Sequence, residues 1–222
     1  MDCLDFINNG IGKDPGYRLL LKAIQYVLPT YQLYLLGLAT FVFYGLGKLF
    51  MRYTSSNYEV LVAIALYQCL YYSFFSITGL RQTMATGFLF LAIPFAVRRK
   101  PWQFALLVLV AATQHKSALL FMPFYFLSYM KHSRLMLVAS LIMFIPMWVY
   151  GSQIAGWLMM GNTFEQYLDY LQGYEGAGAY GFAAYIILLG ILLIYYHKAV
   201  VTSIPDTNLV LNSVAVAIVL TP

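Results

Sequence analysis

The stretch WQFALLVLVAATQHKSALLFMPFYFLSYM, residues 102–130, decides how this chain folds. Read as a single helix, it crosses a bilayer and puts Lys131, His132 and Arg134 opposite the basic corner Arg98-Arg99-Lys100. Read as two short helices folded at 114–117, it keeps both basic clusters on one side. Each arm is then about 13 residues, roughly 20 Å of helix against a hydrocarbon core of about 30 Å, which is short of a full span. The loop 151–180 discriminates between the two. It holds Glu165, Asp169 and Glu175 with no Lys or Arg. Lys and Arg collect on the cytoplasmic side, so this loop is expected outside. A span over 135–150 must then begin inside, which only the folded-back reading allows. The sequence predicts a short-helix hairpin at about 102–130.

Composition sets the environment. The chain has 222 residues, 62% hydrophobic and 9% charged, whereas a soluble globular chain is about 25% charged. An all-α, polytopic integral membrane helical bundle follows. The net charge of +5 then reads as cations at the cytoplasmic ends of spans, and no nucleic-acid partner is expected. Cys3 and Cys69 form no framework, and Cys69, inside an apolar run, is expected as a buried small hydrophobe. There is no Walker motif, no GxGxxG run and no carboxylate-rich cluster, so neither a metal nor another cofactor is expected.

Residues 1–29 form a polar segment expected outside, without the charged and apolar regions of a signal peptide. Asp14-Pro15-Gly16 reads as a turn and 17–28 as a short amphipathic helix. A transmembrane domain is expected over 30–222, with the external loop at 151–180. Its spans are read at 30–51, 58–78, 82–97, 135–150 and 181–197, with a last one starting near 208. This topology puts Lys48, Arg52, Arg98, Arg99, Lys100, Lys131, Arg134 and Lys198 inside. Lys13, Arg18, Lys22, Arg81 and Lys116 fall outside. Arg81 and His115 thus share the outer side. A charge near bilayer depth costs roughly 2.5–3.5 kcal/mol on insertion scales, so both mark a functional place.

Both termini are unusual. The cationic N-terminal tail would be translocated with no preceding span, and the chain stops at Leu220-Thr221-Pro222 within an apolar run. The sequence reads as a fragment or a truncated gene product.

Three motifs carry a resemblance. Asp14-Pro15-Gly16-Tyr17-Arg18-Leu19-Leu20, then Gly79-Leu80-Arg81-Gln82-Thr83-Met84-Ala85, then Gln114-His115-Lys116-Ser117-Ala118-Leu119-Leu120 resemble the EpsG-like family. These are Wzy-type polymerases of exopolysaccharide, capsule or O-antigen repeat units. The resemblance covers about residues 13–135. Gln114 stands where the family commonly has an aromatic residue. The family's upstream external loop, with an arginine and a Gly-Thr/Ser-Asp motif, has no counterpart in these residues.

The resemblance implies a glycosyltransferase of the bacterial inner membrane, with its site on the periplasmic or extracellular side. It implies undecaprenyl-pyrophosphate-linked oligosaccharides as substrates, the bilayer as surroundings, and flippase and chain-length regulator proteins as partners. A hydroxyl of an incoming unit attacks the anomeric carbon of the growing chain, and undecaprenyl pyrophosphate leaves. The leaving group needs fixed cations, and the planar fork of arginine binds phosphate oxygens in pairs. The attacking hydroxyl needs a base that titrates near neutral pH, as histidine does. His115 and Arg81 are therefore the expected catalytic residues, with Gln82, Lys116, Asp14 and Tyr17 expected to bind substrate.

Each has a rival reading. Arg81 caps a span end and snorkels; His115 is a turn residue of the hairpin; Lys116 contacts lipid phosphate; Asp14 and Tyr17 belong to a Pro-Gly turn. Ser117 reads as the N-cap of the second short helix rather than a nucleophile. Trp157, Tyr167, Tyr170 and Tyr174 suit either sugar stacking or an interfacial belt. Two other functions remain open, an O-antigen ligase or acyltransferase and a lipid-linked sugar transporter or flippase. A transporter should show paired broken helices, and the sequence shows one break, at 114–117.

Overall fold

Tyr17, Leu21 and Ile24 lie at the three-to-four-residue spacing of one helix face, and in the computed structural model that face is turned inward. Residues 15–27, 30–70, 79–158, 178–204 and 206–220 are described, and every element among them is helical. In order these are α1 (Pro15–Val27), α2 (Tyr31–Tyr53), α3 (Asn57–Leu70), α4 (Leu80–Val97) and α5 (Pro101–Gln114). A 3-10 helix (Lys116–Phe121) and α6 (Phe124–Leu127) follow, then α7 (Ser133–Leu158), α8 (Gly178–Tyr195), α9 (His197–Ser203) and α10 (Thr207–Leu220). Helices α2 and α4 and residues 133–151 of α7 are long and apolar enough to cross a membrane. The pair α8 and α9 passes the same test but bends by 82° at Tyr196. The chain divides into two compact units, Met1–Phe126 and Leu127–Pro222.

In the first unit the apolar stripe of α1 packs with Tyr34, Leu38 and Val42 of α2 and Met84 of α4. Although expected within a separate external segment, α1 is thus part of this unit's core. Helices α2 and α4 run side by side in the same direction and touch at small residues. A methyl group on Gly87 would lie 2.5 Å from the Phe41 ring, and one on Gly45 would lie 3.3 Å from Phe90 Cβ. Small residues let backbones approach where lipid offers no hydrophobic drive to associate. Between them, α3 starts on a serine cap. Ser56 Oγ accepts from Glu59 N–H at 3.3 Å, and Glu59 Oε2 accepts from Ser55 N–H at 2.6 Å. No described residue of α3 is buried, and Cys69, expected to be a buried small hydrophobe, is exposed. The outer surface of a membrane helix is as apolar as its packed surface, so composition did not reveal which way Cys69 faced.

The hairpin forms as the charge argument requires. Helix α4 ends in a Schellman turn, with Arg99 N–H donating to Ala96 O (3.2 Å) and Lys100 N–H to Phe95 O (2.9 Å). Arg99 sits at φ 55°, and Pro101 opens α5 at once. An L residue in that left-handed conformation costs roughly 1–2 kcal/mol, so the basic corner is held by position at the expense of backbone ease. After α5 the chain breaks at His115 and returns antiparallel. Phe104, near the start of α5, lies 6.1 Å from the Phe121 ring and 5.6 Å from the Tyr125 ring. The returning arm begins as a 3-10 helix at Lys116 with His115 in the cap position, extended at φ −155°, ψ 118°. Ser117 is therefore inside the arm and not its cap, because within the expected break at 114–117 the cap position falls two residues earlier, at His115.

The second unit is built on α7, α8 and α10, with Leu137, Ile186, Leu211, Ala215 and Ile218 at its centre. Helix α7 runs on to Leu158, eight residues beyond the expected end of the span at 150. Ser133 Oγ and His197 Nε2 are 3.1 Å apart, which brings the start of α7 and the bend after α8 to one end. Lys131, Arg134 and Lys198 thus share that end of this unit. Asn212 is fully buried, and its Nδ2 donates to the carbonyls of Leu127 (2.7 Å) and Met130 (2.9 Å). Carbonyls left over at a turn must find donors when water is excluded, and a side-chain amide supplies them.

Candidate active site

Two of the motifs meet through the helices that carry them. Ala85 of α4, Ala111 of α5 and Ala118 of the 3-10 helix form one buried cluster. Arg81 is one turn before Ala85, and His115 is one turn after Ala111. Because α4 and α5 are antiparallel, both lie one turn, about 5 Å of rise, beyond this cluster at the same end of the unit. Lys116 and Ser117 connect His115 to Ala118. The alanines allow close packing, so the sequence sets small side chains beneath the charged ones.

The third motif joins them through Gly16. A methyl group there would fall on Thr113 Oγ1 and Cβ and lie 2.8 Å from the Thr113 carbonyl oxygen. The start of α1 therefore rests directly on the last turn of α5, two residues before His115. Tyr17 points the other way: its hydroxyl is 2.9 Å from the Tyr34 hydroxyl in a buried contact with α2. Pro15 begins the helix, where its missing N–H costs nothing. Pro-Gly-Tyr thus acts as a docking element, pinned to α5 by the glycine and to α2 by the tyrosine.

The side chains differ in exposure. Arg81 and Lys116 are exposed, and His115 and Gln82 are half-buried. Helix α4 starts at Gly79 with no side-chain cap and no acidic residue in its first turn. The Gln82 side chain folds toward that end, its Oε1 3.5 Å from where a Cβ on Gly79 would stand. A helix N-terminus carries about half a positive charge, and the Arg81 guanidinium adds a full one beside it. An anion is favoured at that end, with the His115 imidazole on the neighbouring helix break.

Gln114, which stands where the family commonly has an aromatic residue, is buried. It is 4% exposed, with Nε2 donating to Thr113 Oγ1 at 3.0 Å and a buried Oε1 that accepts no hydrogen bond among the described residues. A polar Thr113-Gln114 pair closing an otherwise apolar helix was the available signal. Asp14, residues 159–177 with Tyr167, Tyr170 and Tyr174, and the side chain of Trp157 lie outside the described residues. Among the described residues no group of three or more His, Cys, Asp or Glu side chains converges.

A model of the EpsG family matches residues 3–222. The chain belongs to the EpsG family. The match extends well past the 13–135 of the motif resemblance, so the second unit is also part of the EpsG pattern. No curated protein matches the chain, and no solved structure does. EpsG membership, together with apolar helices of spanning length, makes this a membrane protein and fits polysaccharide polymerisation in general.

Proposed function

We propose that this EpsG-family chain is a membrane-embedded polymerase that joins undecaprenyl-pyrophosphate-linked oligosaccharide repeat units. The observation that carries the reading is the convergence of its three motifs at one end of the first unit, with Gly16 seated on Thr113 and Arg81 and His115 each one turn above the Ala85–Ala111–Ala118 cluster. In the reaction, a hydroxyl oxygen of the incoming unit bonds to the anomeric carbon of the growing chain as the bond from that carbon to the pyrophosphate oxygen breaks. His115 takes the hydroxyl proton. Arg81, the α4 N-terminus, Gln82 and Lys116 hold the departing pyrophosphate, where fixed donors gain most because they need no reorganisation. In this reading Asp14 binds substrate, and Tyr17 acts indirectly, by setting α1 against α2.

Purified protein in lipid vesicles, given undecaprenyl-pyrophosphate-linked repeat units and no nucleotide, should yield a ladder of lengthened lipid-linked products. Single units left unchanged under every condition would overturn the polymerase reading. The site faces the periplasmic or extracellular side of the bacterial inner membrane in this proposal. A cysteine at position 116 should then react with a membrane-impermeant maleimide from outside, and labelling only from the cytoplasm would reverse the topology.

The transporter alternative loses one argument against it, since the bend at Tyr196 is a second helix break that the sequence did not reveal. The polymerase is preferred on the family match and the motif convergence.

A further inference from the structure

We infer that the cleft between α2, α3 and α4 holds the polyprenyl chain of the lipid-linked substrate, an assignment that rests on the polymerase reading. The cleft has a volume of about 420 Å³, within the range of about 300–1,000 Å³ usual for small-molecule sites. Its walls are Val42, Leu46 and Phe50 of α2, Ala63 and Tyr67 of α3, and one face of α4.

That α4 face ties the cleft to the site. It presents Thr83, Thr86 and Phe90, which follow one another down a single side of the helix. Gly79 stands one turn before Thr83, and Gln82 one turn before Thr86, so the helix start proposed to hold pyrophosphate heads the same stripe. The two threonines do not make the wall polar. Thr83 Oγ1 donates to Gly79 O and Thr86 Oγ1 to Gln82 O, each at 2.9 Å, which uses their hydrogens within the helix. An amphiphile with an anionic head at the start of α4 and Gln82 would lay its tail along Thr83, Thr86 and Phe90, some 10 Å down the helix axis. The occupant that combines a pyrophosphate head with a long apolar tail is the polyprenyl carrier. Its branched, unsaturated units suit a wall with the aromatic rings of Phe50, Tyr67 and Phe90.

The test is a binding measurement that does not depend on turnover. Undecaprenyl phosphate carrying a diazirine in its tail, irradiated with the protein in vesicles, should label peptides containing Leu66-Tyr67 or residues 83–90. Excess undecaprenyl phosphate should compete, and excess phosphatidylglycerol should not. Filling the cleft from either wall, with Ala63→Trp or separately Thr86→Phe, should cut this labelling about tenfold, a difference of about 1.4 kcal/mol in binding. Melting temperature identifies a variant that fails to fold, and the other then decides. Labelling that phosphatidylglycerol displaces equally well, or that folded filled variants retain, overturns the assignment and makes the cleft an ordinary lipid gap. Labelling in the cleft without any ladder of products would instead leave the carrier site standing and remove the polymerase.

Discussion

His115→Ala and Arg81→Ala, made separately, are each expected to stop chain growth while lipid-linked single units accumulate. A positioned acid or base contributes about 10²–10⁴-fold, and removal of one fixed donor to a developing oxyanion costs about 10²–10³-fold in kcat. Conservative changes separate chemistry from scaffolding. His115→Asn leaves a polar residue that can take the extended cap position between α5 and the 3-10 helix, yet it cannot accept a proton at neutral pH. It should be as inactive as His115→Ala while keeping the melting temperature of the unaltered protein. Long polymer from His115→Asn would reduce His115 to a residue of the turn. Arg81→Lys keeps the charge but not the paired donors, so it should retain part of the rate. Products of normal length from Arg81→Ala would return Arg81 to an interfacial anchor.

Gly16→Val is expected to abolish polymer as completely, by a different route. The new side chain meets the Thr113 backbone as well as its side chain, so α1 must move off the end of α5. Overpacking of this kind costs about 1–3 kcal/mol. It also threatens the buried contact between the Tyr17 and Tyr34 hydroxyls. The core of α4 and α5 lies elsewhere, around Ala92, Ala96, Phe104 and Val108, and should persist. The expected signature is a protein still inserted and folded, with a lowered melting temperature, early proteolysis within residues 15–27 and no chain growth. Adding Thr113→Gly removes the side-chain part of the clash and should restore some product. If Gly16→Val makes polymer of normal length, the docking of α1 is not part of the site.

Much of the candidate site was legible before any contact was known. Arg81, His115 and Lys116 stood out because charge is costly beside apolar runs, and the charge argument expected them on one side, whereas Gln82 came only with the family resemblance. Gln114 was legible only as a departure from an aromatic residue, because its burial depends on packing. Asp14-Pro15-Gly16 reads as a turn in the sequence, whereas the helix already begins at Pro15 and Gly16 and Tyr17 serve as packing surfaces. The preference of serine for capping puts the expected cap of the returning arm at Ser117, whereas the extended residue is His115.

The sequence by itself determined the helical class, the membrane setting and the fold-back of 102–130. These follow from length, apolar content and the distribution of Lys and Arg, which act along the chain and are read in one dimension. Only the tertiary structure decided that Gly16 meets Thr113, that Asn212 closes the turn at 127–130, that the chain bends by 82° at Tyr196, and that α2, α3 and α4 leave a cleft below Gln82. The reason is the solvent. In water a helix declares its packed face by an apolar stripe, but in lipid its outer face is equally apolar. Which faces meet is then set by the fit of small and large side chains from distant parts of the chain, and that fit exists only once the helices are together.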